Sequence, residues 1–150
     1  MSERVIVIGA SGHGKVAADI VRSSGDTLLG FLDDNALLPP MVAGIPVLGR
    51  VADYANYPDA SFVIGIGSSA VREKIARQLD GVRWYTAIHP SAVISALDTE
   101  IGAGSVVMAN AVVNPSAHIG THCIIGAGGA VIHAITESGT YVGVPARKIK

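Results

Sequence analysis

The sequence offers little for covalent cross-links, metal binding or strongly charged surfaces. It has one cysteine, Cys123, so no internal disulfide can form. Lysine and arginine total 11 against 12 acidic residues, which leaves no basic excess of the kind that binds a nucleic-acid backbone. The five histidines are scattered and lack paired cysteine or carboxylate ligands. We therefore expect neither a nucleic-acid partner nor a resident metal.

Long apolar runs and aromatic residues are also scarce. No apolar stretch approaches the roughly 18 residues of a bilayer-spanning helix, and residues 1–4 lead into a strand pattern rather than a signal-peptide core. We therefore predict a cytoplasmic protein without membrane contact. Only 5% of the residues are aromatic although 49% are hydrophobic, so valine, isoleucine and alanine supply most of the apolar content. This composition is typical of thin, repeated β-structure.

The first half alternates strand-like and helix-like stretches, which predicts a parallel sheet covered by helices. Apolar runs at 5–8, 28–32 and 62–66 predict buried strands, and 45–49 a short edge segment. A glycine-rich turn over 9–15 is followed by apolar residues at helical spacing, with a stop at Gly25. Further helices are predicted at 51–57 and 71–79. We expect residues 1–86 to form a Rossmann-like α/β domain that binds a nucleotide.

From about Ile88 the pattern changes to a six-residue repeat. Aliphatic residues recur at 88, 94, 101, 107, 113, 119, 125 and 131, and every step is six residues except one of seven. A small residue lies four positions after most of them, namely Ala92, Ser105, Ala111, Ala117, Cys123 and Gly129. Such hexads build a parallel β-helix with aliphatic side chains inside and small residues at the corners. Residues 87–150 are predicted to form this domain, and its exposed apolar edges favour self-association.

Stretches in both halves resemble the PglD/NeuD-like sugar acyltransferases, which acetylate UDP-linked amino sugars or sialic acids. The matching residues are 9–15, 31–34, 64–67 with Arg72, 88–92 and 142–147, in the family's order. The resemblance implies a left-handed β-helix, a homotrimer, a nucleotide sugar on the first half, and acetyl-CoA between neighbouring β-helices. It also implies that several coils are missing, because family members carry more repeats before the closing element at 143–146.

The glycine-rich turn is the first candidate binding site. Glycines let the backbone approach a phosphate, and the helix that follows directs free N–H groups and its positive dipole end at an anion. The residues predicted to bind substrate here are Ser11, Gly12, His13, Gly14 and Lys15. A purely structural tight turn is the alternative.

Asp33 and Asp34 end the second predicted strand, where they are predicted to accept hydrogen bonds from a ribose or a base. A helix-cap or turn role is the alternative for both. The family resemblance adds Gly65, Gly67 and Arg72 to the substrate site and favours a UDP-linked amino sugar over NAD.

Acetyl transfer needs a base and donors for the developing oxyanion, and histidine suits the first role. His133 falls where the resemblance places a catalytic histidine, although Ala134 replaces the family's acidic neighbour and Gly126-Ala127 its Asn-Thr pair. A second, equally good alignment makes residues 126–135 the family's final coil and leaves His133 at the surface.

The other histidines and the acetyl-CoA site complete the predictions. His118 and His122 are alternatives to His133, whereas His89 and Cys123 are predicted to be structural. The residues predicted to contact acetyl-CoA are Gly126, Gly143 and Arg147. Arg147 and Lys148 are predicted to pair with CoA phosphates, and a solvated basic tail is the alternative.

Together these features favour an acetyl-CoA-dependent N- or O-acetyltransferase of a UDP-linked amino sugar or related sugar, serving surface glycan synthesis. A non-catalytic nucleotide-sugar-binding protein is the second hypothesis, which the absent coils and Ala134 support. A small NAD-binding oxidoreductase is the third; it explains the glycine turn but leaves the hexads without a role.

Overall fold

The computed structural model describes residues 1–150. Its helices are α1 (Gly12–Ser23), α2 (Ser69–Gln78) and a 3₁₀ helix at Val51–Asn56. The strands of the first half are β1 (Arg4–Ile8), β2 (Thr27–Leu32), β3 (Met41–Val42), β4 (Ile45–Gly49), β5 (Ser61–Ile64) and β6 (Arg83–Trp84). The strands of the second half are β7 (Ala87–Ile88), β8 (Val93–Ile94), β9 (Glu100–Ile101), β10 (Val106–Val107), β11 (Val112–Val113), β12 (His118–Ile119), β13 (Ile124–Ile125), β14 (Ala130–Val131), β15 (Thr140–Val142) and β16 (Arg147–Lys148). Neither α-helix is long and apolar enough to cross a membrane.

The first sheet has the strand order β3-β4-β2-β1-β5-β6. Its central strand β1 pairs in parallel with β2 on one side and β5 on the other. Residues 5–8 of β1 are fully buried, as expected for a strand with both neighbours and both faces covered. The chain runs outward from β1 through β2 to β4 and then returns to the far side of β1. The loops after β1 and β5 therefore diverge from adjacent carboxyl ends, which is where open α/β sheets bind ligands.

The prediction that residues 45–49 form an edge is wrong, because a hairpin places another strand outside them. β3 pairs antiparallel with β4, and β4 also pairs with β2. Ala43 and Gly44 connect β3 to β4 with φ angles of 50° and 74°. Two successive residues with positive φ make the tight turn typical of two-residue hairpins. A two-residue strand is too short to show an alternating pattern in the sequence.

Both α-helices begin earlier than predicted. α1 starts at Gly12, so that Gly12 to Lys15 form its first turn rather than a loop before it. α2 starts at Ser69 because the hydroxyl of Ser68 accepts a hydrogen bond from the Val71 N–H and caps the helix. The glycine segment is therefore part turn and part helix.

The second half is a three-sided parallel β-helix, which confirms the predicted hexapeptide architecture. The first face contains β7, β10, β13 and β15, the second β8, β11 and β14, and the third β9 and β12, extended by a bridge from Ile119 to Ile135. The hexad aliphatics that are buried are Val107, Val113, Ile119, Ile125 and Val131. The small residues buried with them include Ser105, Ala111, Ala117 and Cys123. The aliphatics of the first coil are Ile88, Ile94 and Ile101. They are only partly buried, because a neighbouring coil covers them on one side only.

A second six-residue period, in backbone conformation, accompanies the hexads. Positive φ angles occur at Asp98, Gly104, Asn110, Ser116, His122 and Gly128. Glycine adopts this conformation freely, and Asn, Asp and His tolerate it better than most residues do. This residue choice is a signal that the sequence carries in addition to the hexads. The period stops before Ala134. The third coil, which begins at β13, is short, because the step from Val131 to Ile135 is four residues instead of six.

The two halves share a core. The first sheet ends at Trp84 and the β-helix begins at Ala87, around the proposed division after residue 86. Val106 and Ile124 point outward from the first face of the β-helix and lie in one buried cluster with Ala17 and Ala18 of α1. α1 is thus packed between the sheet and the β-helix, and it fixes one half against the other.

Candidate functional site

Close packing of backbones shapes the start of α1. A Cβ added to Gly14 would lie 1.8 Å from the carbonyl oxygen of Gly9, and one added to Gly65 would lie 2.5 Å from the Cα of Gly14. The first turn of α1 therefore presses directly against the ends of β1 and β5. Gly9 itself has a φ of +98° and donates its N–H to the Leu32 carbonyl. Gly14 and Gly65 are required for packing, which is the role of the third glycine in dinucleotide-binding turns.

Gly12 and Gly67 lie in a different environment, because an added Cβ at either would meet no atom within 4 Å. Both face open space beside the β1–α1 and β5–α2 loops, at the carboxyl ends of two neighbouring strands where open α/β sheets bind ligands, and we call this place the crevice. The first turn of α1 holds no acidic residue, and its N-cap Ser11 makes no side-chain capping bond. Free N–H groups at a helix start carry partial positive charge. The crevice can therefore accept an anion such as a phosphate, with exposed Lys15 one turn into the helix.

Asp33 and Asp34 hold the loops beside this crevice. The Asp33 carboxylate accepts the Ala10 N–H and the Asn35 N–H, both at 2.8 Å. The Asp34 carboxylate accepts the Val51 N–H at 3.0 Å. The turn role considered from the sequence is thus present at both residues, and a nucleotide role would use their remaining lone pairs.

Arg72 and His13 lie behind the crevice. Arg72 is 1% exposed, and no carboxylate lies within ion-pair distance of it. Its bonded donors all reach main-chain carbonyls. The Nε2 of His13 is buried without a hydrogen-bond partner. Burial and then the charge of Arg72 lower the pKa of His13 to about 4, so its imidazole is neutral near pH 7.

His133 and Arg147 lie together at the far end of the β-helix. They line a cleft of about 360 Å³ whose other members include Tyr141, Pro145 and Lys148. His133 is exposed in the short step between Val131 and Ile135, and its neighbour Ala134 provides no carboxylate. Lys148 pairs with Glu137 at 2.8 Å. No residue of the glycine turn lines this cleft.

The glycines predicted to contact acetyl-CoA have structural surroundings. Gly126 is buried, and a Cβ there would lie 2.7 Å from the Val142 side chain. Gly143 has a φ of +94° in the turn that joins β15 to β16. A four-residue step follows Val131, and the hairpin of β15 and β16 comes after it. Together they end the stack of coils, so we call residues 126–135 the closing coil. His133 is exposed, as the second alignment places it, and it also lines the cleft described above.

The remaining histidines differ in their surroundings. His118 lies on the third face, where its two ring nitrogens are each 3.7 Å from a carboxylate, of Asp98 and of Glu100. The Nδ1 of His89 accepts the Ser91 N–H at 3.1 Å within a local turn. His122 occupies a corner of the β-helix, with its ring edge-on to Trp84 at 4.6 Å between centroids.

Cys123 is fully buried, and burial raises the pKa of its thiol. Such a thiol stays protonated and is a poor nucleophile. No group of three or more His, Cys, Asp or Glu side chains is arranged to hold a metal ion.

The fold and the crevice define a class of protein, in which a nucleotide-type α/β half is joined rigidly to a hexapeptide β-helix. The family model of the PglD N-terminal domain matches residues 4–79, and that of the bacterial transferase hexapeptide (six repeats) matches residues 98–134. The chain belongs to the PglD N-terminal domain family.

Two curated proteins are similar over most of this chain. UDP-N-acetylbacillosamine N-acetyltransferase of Bacillus subtilis is 34% identical over 71% of the chain and 52% of its own length. An uncharacterized protein of Acanthamoeba polyphaga mimivirus is 29% identical over 81% of the chain and 24% of its own length. The chain therefore spans about half of the first relative and about a quarter of the second.

Solved structures have the same fold. The acetyltransferase domain of PglB from Neisseria gonorrhoeae matches with a TM-score of 0.68 and 24% identity, over 99% of this chain and 100% of that domain. PerB from Caulobacter crescentus, solved with CoA and GDP-perosamine, matches with a TM-score of 0.65 and 25% identity, over 97% of both chains.

Proposed function

We propose that this protein transfers an acetyl group from acetyl-CoA to a nucleotide-linked amino sugar or related sugar, for surface glycan synthesis. The observation that carries the proposal is the position of α1. Its first turn borders the crevice at the carboxyl ends of β1 and β5, and its buried face packs on the β-helix. One helix therefore holds a nucleotide-type site and a hexapeptide repeat domain in one rigid body.

The crevice is the proposed nucleotide-sugar site. The diphosphate lies against the first turn of α1, where Gly12 and Gly67 leave room for it. Asp33 and Asp34 bind the nucleoside, and neutral His13 lies behind the diphosphate without adding a charge. The Bacillus subtilis relative named for UDP-N-acetylbacillosamine supports a UDP-linked sugar, whereas the ligand of PerB is GDP-linked. The amino sugar is the shared chemistry.

The cleft at the end of the β-helix is the proposed acetyl-CoA site. Arg147 supplies a cation for the CoA phosphates, with Lys148 beside it. His133 is the proposed base, which removes a proton as the sugar nitrogen or oxygen bonds to the thioester carbonyl carbon. The carbon–sulfur bond then breaks, and the CoA thiolate leaves and takes up the proton. Structures of relatives with acetyl-CoA or CoA support this choice of cosubstrate.

The proposal includes a homotrimer, in which the cleft that holds His133 is completed by a neighbouring copy of the chain. The second face of the β-helix supports this part. Val93 and Val112 point outward from it and are 63% and 38% exposed, with Ala130 in register beside them. An apolar strip of this kind is suited to an interface between copies.

A second candidate function is nucleotide-sugar binding without catalysis. The closing-coil geometry around His133 and the absence of an acid at Ala134 favour it. The two functions share the crevice and differ only in whether the β-helix supports acetyl transfer.

The test measures thiol release from acetyl-CoA with a panel of UDP- and GDP-linked amino sugars, for the wild type and for His133→Ala. The matched control is His89→Ala, whose histidine belongs to a turn away from both sites. Turnover that is lost only in His133→Ala supports the transferase and its base. Nucleotide-sugar binding by calorimetry without turnover supports the second candidate, and neither binding nor turnover refutes both.

A further inference from the structure

Arg72 joins the crevice to the β-helix through main-chain carbonyls. Its Nη1 donates to the carbonyl oxygens of Ile66 and Gly67, both at 2.9 Å, in the loop that borders the crevice. Its Nε donates to the carbonyl oxygen of His122, at 3.2 Å, in a corner of the β-helix. One side chain therefore bonds to parts of both halves at once.

The burial of Arg72 makes these bonds important. A buried guanidinium without a carboxylate must satisfy its charge through hydrogen bonds, and bonds from a charged donor are stronger than neutral ones. The remaining nitrogen, Nη2, has no partner and is itself below the surface. A ligand in the crevice has no open path to Nη2 in this structure.

The residue that accepts from the Arg72 Nε, His122, is closely packed at a corner of the β-helix. Its backbone has a φ of +51°, and its carbonyl also accepts the Ser138 hydroxyl at 3.3 Å. The imidazole packs edge-on against Trp84 on one side. On another side it lies against Gly104 of the previous coil, where an added Cβ would be 2.4 Å from the ring. Neighbours from three separate segments of the chain thus surround the residue whose carbonyl accepts from Arg72.

We propose that Arg72 is a positioning residue, which holds the crevice loop at Ile66–Gly67 at a fixed distance from the β-helix, rather than a group that contacts the nucleotide. The identity of the crevice ligand rests on the proposed function. The bonds of Arg72, and the change of Trp84 emission that we expect when they are removed, do not depend on it.

The test uses Trp84, the single tryptophan of the chain, as a reporter beside His122. Its emission is recorded without ligand, and UDP affinity is measured by calorimetry, for the wild type, Arg72→Gln and Arg72→Lys. The control is Arg77→Gln, because Arg77 lies on the same helix with its side chain 81% exposed. We expect both Arg72 variants to change the emission of the ligand-free protein and to bind UDP about tenfold more weakly. Lysine keeps the positive charge, but its single ammonium group cannot donate to three carbonyl oxygens that lie on two sides of it.

Unchanged emission in both variants, with UDP binding lost in Arg72→Gln and kept in Arg72→Lys, would overturn the proposal in favour of direct phosphate contact. A second measurement needs no variant. In the wild type, the Arg72 Nε–H is expected to be protected from solvent exchange with and without UDP, and protection that arises only with UDP would also overturn it. If the wild type binds neither UDP nor GDP, the proposed nucleotide-sugar site fails, while the emission and exchange measurements still decide the role of Arg72.

Discussion

Replacing Gly14 by alanine tests the packing on which the crevice depends. The new Cβ would lie 1.8 Å from the Gly9 carbonyl oxygen, and real Cβ atoms essentially never come closer than 3.0 Å. The obstacle is backbone, so α1 or the β1 end must move. Overpacking of this kind costs about 3 kcal/mol, and alanine returns about 1 kcal/mol at most through helix propensity. We expect a net loss of about 2 kcal/mol, and therefore a melting temperature about 4–8 °C lower for a chain of this length.

Gly12→Ala is the matched control, because Gly12 lies in the same helical turn but faces open space. It should leave the protein equally stable or about 0.5–1 kcal/mol more stable. Urea unfolding followed by circular dichroism and Trp84 fluorescence measures both variants. The reasoning also predicts that Gly12→Ala weakens UDP binding, since its methyl group enters the crevice. Equal stability of the Gly14→Ala and Gly12→Ala proteins would refute the packing argument.

Three further predictions concern pH, the join between the halves and assembly. The free energy of unfolding should fall as the pH is lowered from 6.5 towards about 4, because the unfolded chain protonates His13 before the folded chain does. The same dependence of this free energy on pH in His13→Gln would contradict the prediction. Tyr85→Phe removes the 2.7 Å bond from the Tyr85 hydroxyl to the Asp26 carboxylate, and should lower the free energy of unfolding in urea by about 1–2 kcal/mol, so an unchanged value would exclude a stabilising role. Val112→Glu places a charge in the apolar strip and should turn the proposed trimer into monomers in sedimentation velocity, whereas an intact trimer would show that the interface lies elsewhere.

The hexads could be predicted because each coil poses the same packing problem. An aliphatic side chain every six residues meets its counterpart one coil above, as Val107 does with Ile88 and Ile125. The short step to Ile135 could not be predicted this way. It depends on how the hairpin of β15 and β16 closes the stack, and that involves residues outside the repeat.

The sequence predicts that the glycine turn is a binding site. It does not predict which glycine faces a ligand and which packs against the backbone. The motif is the same whether a glycine faces a ligand or a neighbouring backbone. Only the approach of β1, β5 and α1 separates Gly12, which faces open space, from Gly14, which has none. Arg72 was likewise recognisable from its motif, whereas its acceptor on the β-helix is 50 residues away in the sequence.

The sequence by itself determined the two kinds of structure and their order, because strand, helix and hexad patterns are set by side chains a few residues apart. The tertiary structure decided how the halves combine. The burial of Val106 and Ile124 against α1, the carbonyls that Arg72 bonds and the environment of His13 all depend on residues distant in the chain. Local periodicity carries no information about such contacts, since they arise only when two completed elements meet.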